Sequence, residues 1–213
     1  MRLSASLYAA DPLRLADAVS AVAPHVGSLH VDVMDGRFAP AFGLGEELVR
    51  RLIASGAPPI DVHLMVDEPA PAALRFARLG VRSVAFHVEV TSNPAALAAA
   101  IREAGALAYA ALRPATDPAT LGPIAAEIDG LLLLTAPPGG GEFDEAAFAR
   151  IGRRPAGLPV IVDGRLQPGH FDALRALEVE LAVVGAALFD GGAPAERARE
   201  LDRLASGDGN PGR

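Results

Sequence analysis

The sequence predicts an α/β chain folded as one closed (β/α)8 barrel, the TIM-barrel architecture. Three observations predict it. Short apolar strands alternate with segments of helical periodicity, with no interruption along the chain. Eight such strand–helix pairs fit within residues 1–205, which favours a closed barrel over an open sheet. The strands are rich in Val, Ile and Leu, as parallel strands covered by helices must be.

The elements follow in order. Met1-Arg2-Leu3-Ser4-Ala5-Ser6-Leu7 reads as a first strand, over residues 3–6, and lacks the long apolar stretch of a signal peptide. Ser6-Leu7-Tyr8-Ala9-Ala10 after it is not the glycine fingerprint that usually opens a doubly wound sheet. Asp11-Pro12 caps a helix over residues 13–22, and a second strand covers 29–33. Helix 46–54, strand 60–65, helix 70–79 and strand 83–87 come next. Ser92-Asn93-Pro94 then starts a helix over 94–104, followed by strand 107–112. Thr116-Asp117-Pro118 starts another, over 118–126, before strand 130–134. Helix 144–151, strand 159–162, helix 168–177, strand 181–184 and helix 193–205 complete the barrel. Residues 206–213 carry no apolar anchor and are expected to form a disordered tail.

Composition removes several functions. The 213 residues are 51% hydrophobic with a formal charge of −7, and there is no basic tract, which argues against a nucleic-acid partner. Cysteine is absent, so neither disulfides nor thiolate metal sites are possible. All 19 basic residues are arginine, which excludes Schiff-base aldolase and pyridoxal chemistry, since both need a lysine amine. No apolar run approaches the ~18 residues of a membrane helix. The expectation is a soluble, cytoplasmic protein with no membrane partner.

Four side chains at strand ends can grip one divalent metal: His30, Asp32, His63 and Asp163. Strand alternation puts His30, Asp32 and Met34 on one face, and likewise Asp61, His63 and Met65. Active sites of such barrels form at the carboxyl-terminal ends of the strands, where Ser6 also falls. Imidazoles with carboxylates and no thiol suit zinc, manganese or iron(II). A carboxylate can also move a proton, so the set suggests metal-assisted acid–base chemistry. Other candidates read as structural: Asp61 at its strand entry, Asp35 capping the turn at Gly36, and His25 and His170 as surface groups. Met34 and Met65 suit either cavity wall or core filling. His87 is open between support of the site and ordinary packing.

These residues carry a resemblance. Ser6 through Asp11, His30-Val-Asp-Val-Met-Asp-Gly-Arg-Phe-Ala-Pro40 and Asp61-Val-His-Leu-Met65 resemble the ribulose-phosphate 3-epimerase family, from Leu3 to about Phe189. Weaker echoes are His87-Val88-Glu89, Arg113-Pro114-Ala115-Thr116, Val162-Asp163-Gly164 and Val184-Gly185-Ala186. The resemblance implies a barrel of the ribulose-phosphate-binding type and one divalent metal held by His30, Asp32, His63 and Asp163, with no organic cofactor. It implies that Asp32 and Asp163 are the proton-transferring pair, that Ser6 orients substrate and one aspartate, and that His63, Met34 and Met65 contact the substrate region. The implied reaction is 3-epimerisation of a ketose phosphate through a cis-enediolate, with D-ribulose 5-phosphate and D-xylulose 5-phosphate as the pair. A homo-oligomer is implied as well.

The phosphate end departs from the family. After the sixth strand the family usually shows a Pro-Gly-Phe-Gly-Gly-Gln type loop; here Pro137-Pro138-Gly139-Gly140-Gly141-Glu142-Phe143 is shorter and carries an acid. The usual methionine on that strand is Leu134. After the seventh strand Gly164 is followed by Arg165 where a second glycine is usual, and after the eighth the usual Gly-Ser is Gly185-Ala186. Gly139, Gly140, Gly141, Gly164, Gly185 and Ala186 are expected to present amides to phosphate, with Arg165 as a clamp, whereas Glu142 would repel a dianion if it faced the site. Alternatives are an epimerase for another ketose or ketose phosphate, a metal-dependent hydrolase or lyase, and a non-catalytic sugar-phosphate-binding relative. Hydrolase barrels often use a His-x-His pair, which is absent here, and the decarboxylase barrels need an Asp-x-Lys motif that a lysine-free chain cannot supply.

Overall fold

A computed structural model describes residues 1–207. Eight parallel strands close a barrel in sequence order. They are β1 (Arg2–Ser6), β2 (Ser28–Met34), β3 (Ile60–Met65), β4 (Ser83–His87), β5 (Leu107–Leu112), β6 (Gly130–Leu134), β7 (Val160–Asp163) and β8 (Leu181–Val184). The helices are α1 (Leu15–Val22), α2 (Glu46–Ala54), α3 (Pro69–Arg78), α4 (Pro94–Glu103), α5 (Ala147–Ile151), α6 (Phe171–Ala176), α7 (Ala186–Phe189) and α8 (Pro194–Ser206).

The caps act as expected. The Asp11 carboxylate accepts from the Leu13 N–H at 2.9 Å, Asn93 from Ala96 at 3.1 Å and Asp117 from Ala119 at 3.1 Å. The helix expected over 118–126 is instead a 3-10 helix, Pro118–Ile124. Pro123 lies inside it and has no N–H to continue an α-helical ladder. The helix expected from Asp144 starts only at Ala147, because the Asp144 carboxylate folds a turn onto the Ala146 N–H at 2.9 Å. The short helix α7 was not expected. At the far end α8 runs through Ser206 to a left-handed Gly207; the rest of the expected tail, 208–213, lies outside the described residues. His25 and His170 are half-buried rather than free surface groups. His170 stacks on Phe143 with ring centroids 4.2 Å apart, and its Nδ1 accepts from the Gln167 N–H.

The main core lies between strands and helices, where outward residues such as Leu29, Val31, Leu64, Phe86 and Leu133 are fully buried. The barrel interior is layered. At the amino-terminal end Arg82 makes a two-pronged ion pair with Asp61, both contacts 2.7 Å, and Ser83 donates to the same carboxylate at 2.6 Å. Asp61 is therefore structural, as expected. Above it sit Ala85, Ala111, Leu132, Ile161, Leu181 and Val183. The top layer is polar, and register places it there: Ser6 pairs with His30, Asp32 with His63, and Asp163 lies between Leu134 and Val183. Among the described residues, no helix is long and apolar enough to cross a membrane.

Candidate active site

His30 and Asp32 come from β2, His63 from β3 and Asp163 from the last position of β7. Alternation aims all four inward, and one ligand atom from each lies within 4.8 Å of the others. His30 Nε2 is 3.3 Å from Asp32 Oδ1 and 3.4 Å from Asp163 Oδ2. His63 Nδ1 is 3.4 Å from each of the same two oxygens. Both imidazoles are fully buried, yet His30 Nε2 and His63 Nδ1 have no hydrogen-bond partner. Two ligands bound at ordinary zinc distances lie ~3.0–3.4 Å apart, depending on the angle between them. The four nitrogen–oxygen edges fit that spacing, and unpaired buried nitrogens are what a metal would satisfy. The residues present therefore fit a divalent ion.

Electrostatics reinforces the fit. Burial opposes charge on His30, but Asp32 and Asp163 outweigh it and hold its pKa well above the ordinary value. His63 is raised by the same balance. Burial in turn pushes both carboxylates up, and the imidazoles beside them, His30 foremost, bring Asp32 and Asp163 below the ordinary range. The cluster is strongly predisposed to positive charge between its two carboxylates. The Ser6 hydroxyl donates to Asp32 Oδ2 at 3.1 Å, leaving Oδ1 toward the cluster.

A cavity of about 270 Å³ opens above this layer, at the small end of ligand pockets. Its walls include Ser6, Asp32, Met34, Met65, Asp163, Gly164, Arg165, Gly185 and Ala186, together with Gly139 and Gly140. Met34 and Met65 thus face the cavity as well as packing with Phe38 and Ala39. Two residues expected to contact substrate lie off the cavity wall. His63 does not reach the cavity, because its ring is fully buried between the two aspartates and His87. Gly141 is off the wall, its backbone folded against the Pro137 ring. Gly140 lines the cavity, but its N–H donates to the Pro137 carbonyl at 3.0 Å, so it is spent on the turn. Glu142 is exposed and does not line the cavity.

Arg165 is the sole cationic side chain on the walls. Its guanidinium reaches toward Gly140 across the opening and has no ion-pair partner among the described residues. Its φ of 55° keeps the left-handed conformation that suits glycine. Gly164 before it cannot be replaced without movement: a Cβ would lie 2.7 Å from the Ala136 nitrogen, at φ +122°.

Sequence reasoning missed Tyr8, Ala136, Pro137, Leu166 and Val183 on the walls. Alternation on β8 would have found Val183. It also missed Thr135, which donates through Oγ1 to the Asp163 carbonyl at 3.0 Å and through its N–H to the same oxygen at 2.7 Å. Thr135 ties the β6 loop to the end of β7. The Asp35 carboxylate caps its turn as expected, accepting from Arg37 at 2.8 Å and Phe38 at 2.9 Å. His87 supports the site: its Nε2 is 3.0 Å from His63 Nε2 and its Nδ1 is 3.2 Å from Glu89 Oε2.

Comparison with known proteins bears on this geometry. The family model described as the ribulose-phosphate 3 epimerase family matches residues 2–189, from the start of β1 to the end of α7. The chain is 34% identical to the ribulose-phosphate 3-epimerase of Mycobacterium leprae, over 95% of this chain and 94% of that protein. It is 30% identical to the cytoplasmic isoform of ribulose-phosphate 3-epimerase from Oryza sativa, over 85% and 84%. Among solved structures, KGPDC from Streptococcus mutans shares the fold, with a TM-score of 0.77 at 16% identity over 98% and 99% of the two chains. The 3-hexulose-6-phosphate synthase from Salmonella typhimurium does so with a TM-score of 0.73 at 15% identity, over 97% and 99%. At that identity the likeness speaks for the fold alone. The family match and the near full-length relatives go further: this chain is a carbohydrate isomerase and belongs to the ribulose-phosphate 3-epimerase family.

Proposed function

We propose that this enzyme interconverts D-ribulose 5-phosphate and D-xylulose 5-phosphate by inverting C3, with Asp32 and Asp163 as the proton-transferring pair. The observation that carries this reading is the pairing of those two carboxylates around one two-histidine cluster at the base of a small cavity. They stand on β2 and β7, so a sugar carbon held between them presents one face to each. One carboxylate takes the C3 proton and the other returns a proton to the opposite face; the roles exchange with direction. A positioned proton transfer of this kind is typically worth ~10²–10⁴-fold. Ser6 holds the Asp32 carboxylate in one orientation through the 3.1 Å hydrogen bond. Met34, Met65, Leu134 and Val183 supply apolar wall that excludes water and strengthens every charge interaction within.

A zinc, manganese or iron(II) ion held by His30, Asp32, His63 and Asp163 would supply Lewis acidity, stabilising negative charge on the sugar oxygens as the proton leaves. No organic cofactor is called for. The phosphate would lie toward Arg165, whose guanidinium can grip two phosphate oxygens at once. That side chain would supplement Gly139, Gly164, Gly185 and Ala186, since in the loop after β6 the Gly140 amide is engaged and Gly141 is turned away. The rice relative's name supports the cytoplasm as the compartment.

The test is C3 epimerisation of D-ribulose 5-phosphate by purified, metal-loaded protein, with Asp163→Asn alongside. Turnover abolished by that substitution is the expected result. Absence of turnover in the parent protein, with metal demonstrably bound, would overturn the substrate assignment and direct the search to other ketoses.

A further inference from the structure

His63 is backed by a chain of polar contacts that leaves the barrel interior and ends in the loop after β5. His63 Nε2 lies 3.0 Å from His87 Nε2. His87 Nδ1 lies 3.2 Å from Glu89 Oε2. The other Glu89 oxygen, Oε1, accepts from the Arg113 N–H at 2.8 Å and from the Thr116 hydroxyl at 2.6 Å. The His87 ring is fully buried and packs against Phe38 at 4.5 Å between centroids, and the Arg113 guanidinium lies 4.0 Å over that Phe38 ring. His30 has no such support, since its Nδ1 is buried without a partner.

Proton counting fixes every position along this chain. A neutral imidazole has one N–H and one lone pair. If His63 gives its Nδ1 lone pair to a cation, its proton sits on Nε2 and must be donated to His87 Nε2. His87 then carries its own proton on Nδ1 and donates it to Glu89. A carboxylate accepts there without competition, and its other oxygen is anchored by two donors from the β5 loop.

We propose that Glu89 and His87 form a tautomer relay that holds His63 in its Nε2–H form, so that the Nδ1 lone pair is always presented to the metal. Both are positioning residues. The proposal rests on the metal reading of the cluster. Burial pushes Glu89 up, but His87, Thr116 and the Arg113 amide outweigh it and hold the carboxyl at about 2.

The relay makes an unusual prediction for an isosteric change. In Glu89→Gln an amide NH₂ can face the His87 Nδ1–H, two donors opposed. Relief comes when His87 moves its proton to Nε2, which in turn forces His63 to carry its proton on Nδ1, the nitrogen the metal needs. Zinc affinity, measured by competition with a chromophoric chelator, should fall ~10–100-fold in Glu89→Gln, the range for loss of outer support to a metal-ligating histidine. His87→Leu should lose at least as much, while His87→Gln, which can offer a carbonyl to His63 Nε2–H, should recover part of the affinity. Nitrogen chemical shifts of the His63 ring should show Nε2–H in the parent protein and Nδ1–H in Glu89→Gln. Parent-level zinc affinity in folded Glu89→Gln, with His63 still protonated on Nε2, would overturn the relay while leaving the metal site standing. No zinc binding by the parent protein would overturn the metal reading and the relay with it.

Discussion

Replacing Arg165 with glycine should stabilise the protein and weaken its grip on substrate at the same time. Arg165 holds φ at 55°, and left-handed backbone costs a non-glycine residue roughly 1–2 kcal/mol. Glycine removes that strain but returns roughly 0.5–1 kcal/mol of freedom to the unfolded chain. The net gain is about 0–1.5 kcal/mol, worth up to about 5 °C in Tm for a chain of this size. Loss of the cavity's lone cation acts in the opposite direction. A hydrogen bond to a charged group is worth ~1.5–3 kcal/mol, which corresponds to a KM raised about 10- to 100-fold. In the substrate the phosphate is not attached to C3, so losing a phosphate contact should act mainly on KM and change kcat little. Arg165→Ala separates the two effects, since alanine loses the charge and keeps the strain. Steady-state kinetics, inhibition by inorganic phosphate and thermal melts of all three proteins read the outcome. An unchanged KM and unchanged phosphate inhibition in both variants would refute the assignment of Arg165 to phosphate.

Three further predictions follow from single contacts. Ser6→Ala removes the hydroxyl that orients Asp32 and should lower kcat about tenfold with the metal retained, as read by steady-state kinetics and metal analysis. Asp61→Leu leaves Arg82 without its two-pronged partner inside the barrel and should cost about 3–5 kcal/mol in urea unfolding. Glu89 is held at about 2 in the fold, below the ordinary 4.5. Its stabilisation is therefore complete above pH ~4.5 and is lost as pH falls through about 2, at most ~3 kcal/mol before solvent screening reduces it. Urea titrations at pH 3 and pH 6 should show a smaller acid-induced loss in Glu89→Gln than in the parent.

Strands were legible because both faces of a helix-covered parallel barrel are apolar, leaving short runs of Leu, Val and Ile such as Leu131–Leu134, along which positions alternate inward and outward. Each expected strand matches the structure to within about one residue at either end. The same alternation brought His30, Asp32, His63 and Asp163 to one layer, since strand ends from distant parts of the chain converge there. What stayed hidden depends on partners in other segments. Nothing local to Gly140 reveals that its amide is taken by Pro137, nor that Gly141 folds out of the cavity. Thr135 works through the carbonyl at the end of neighbouring β7, and Glu89 through His87 onto His63 of β3; Glu89 follows the buried His87 by only two positions, in a 3-10 turn, Val88–Val90, that no periodicity announces. Helices after β5 drifted most, because Pro123 and the Asp144 turn override the apolar pattern.

The central claim is that one aspartate removes the C3 proton while the other delivers a solvent-derived proton to the opposite face. Incubation of D-ribulose 5-phosphate with metal-loaded protein in D₂O, followed by proton NMR, tests it most directly. Deuterium should enter at C3 in both epimers, with the carbon-bound protons at C1, C4 and C5 untouched. Washout at C1, or epimerisation with the C3 proton retained, would contradict the account.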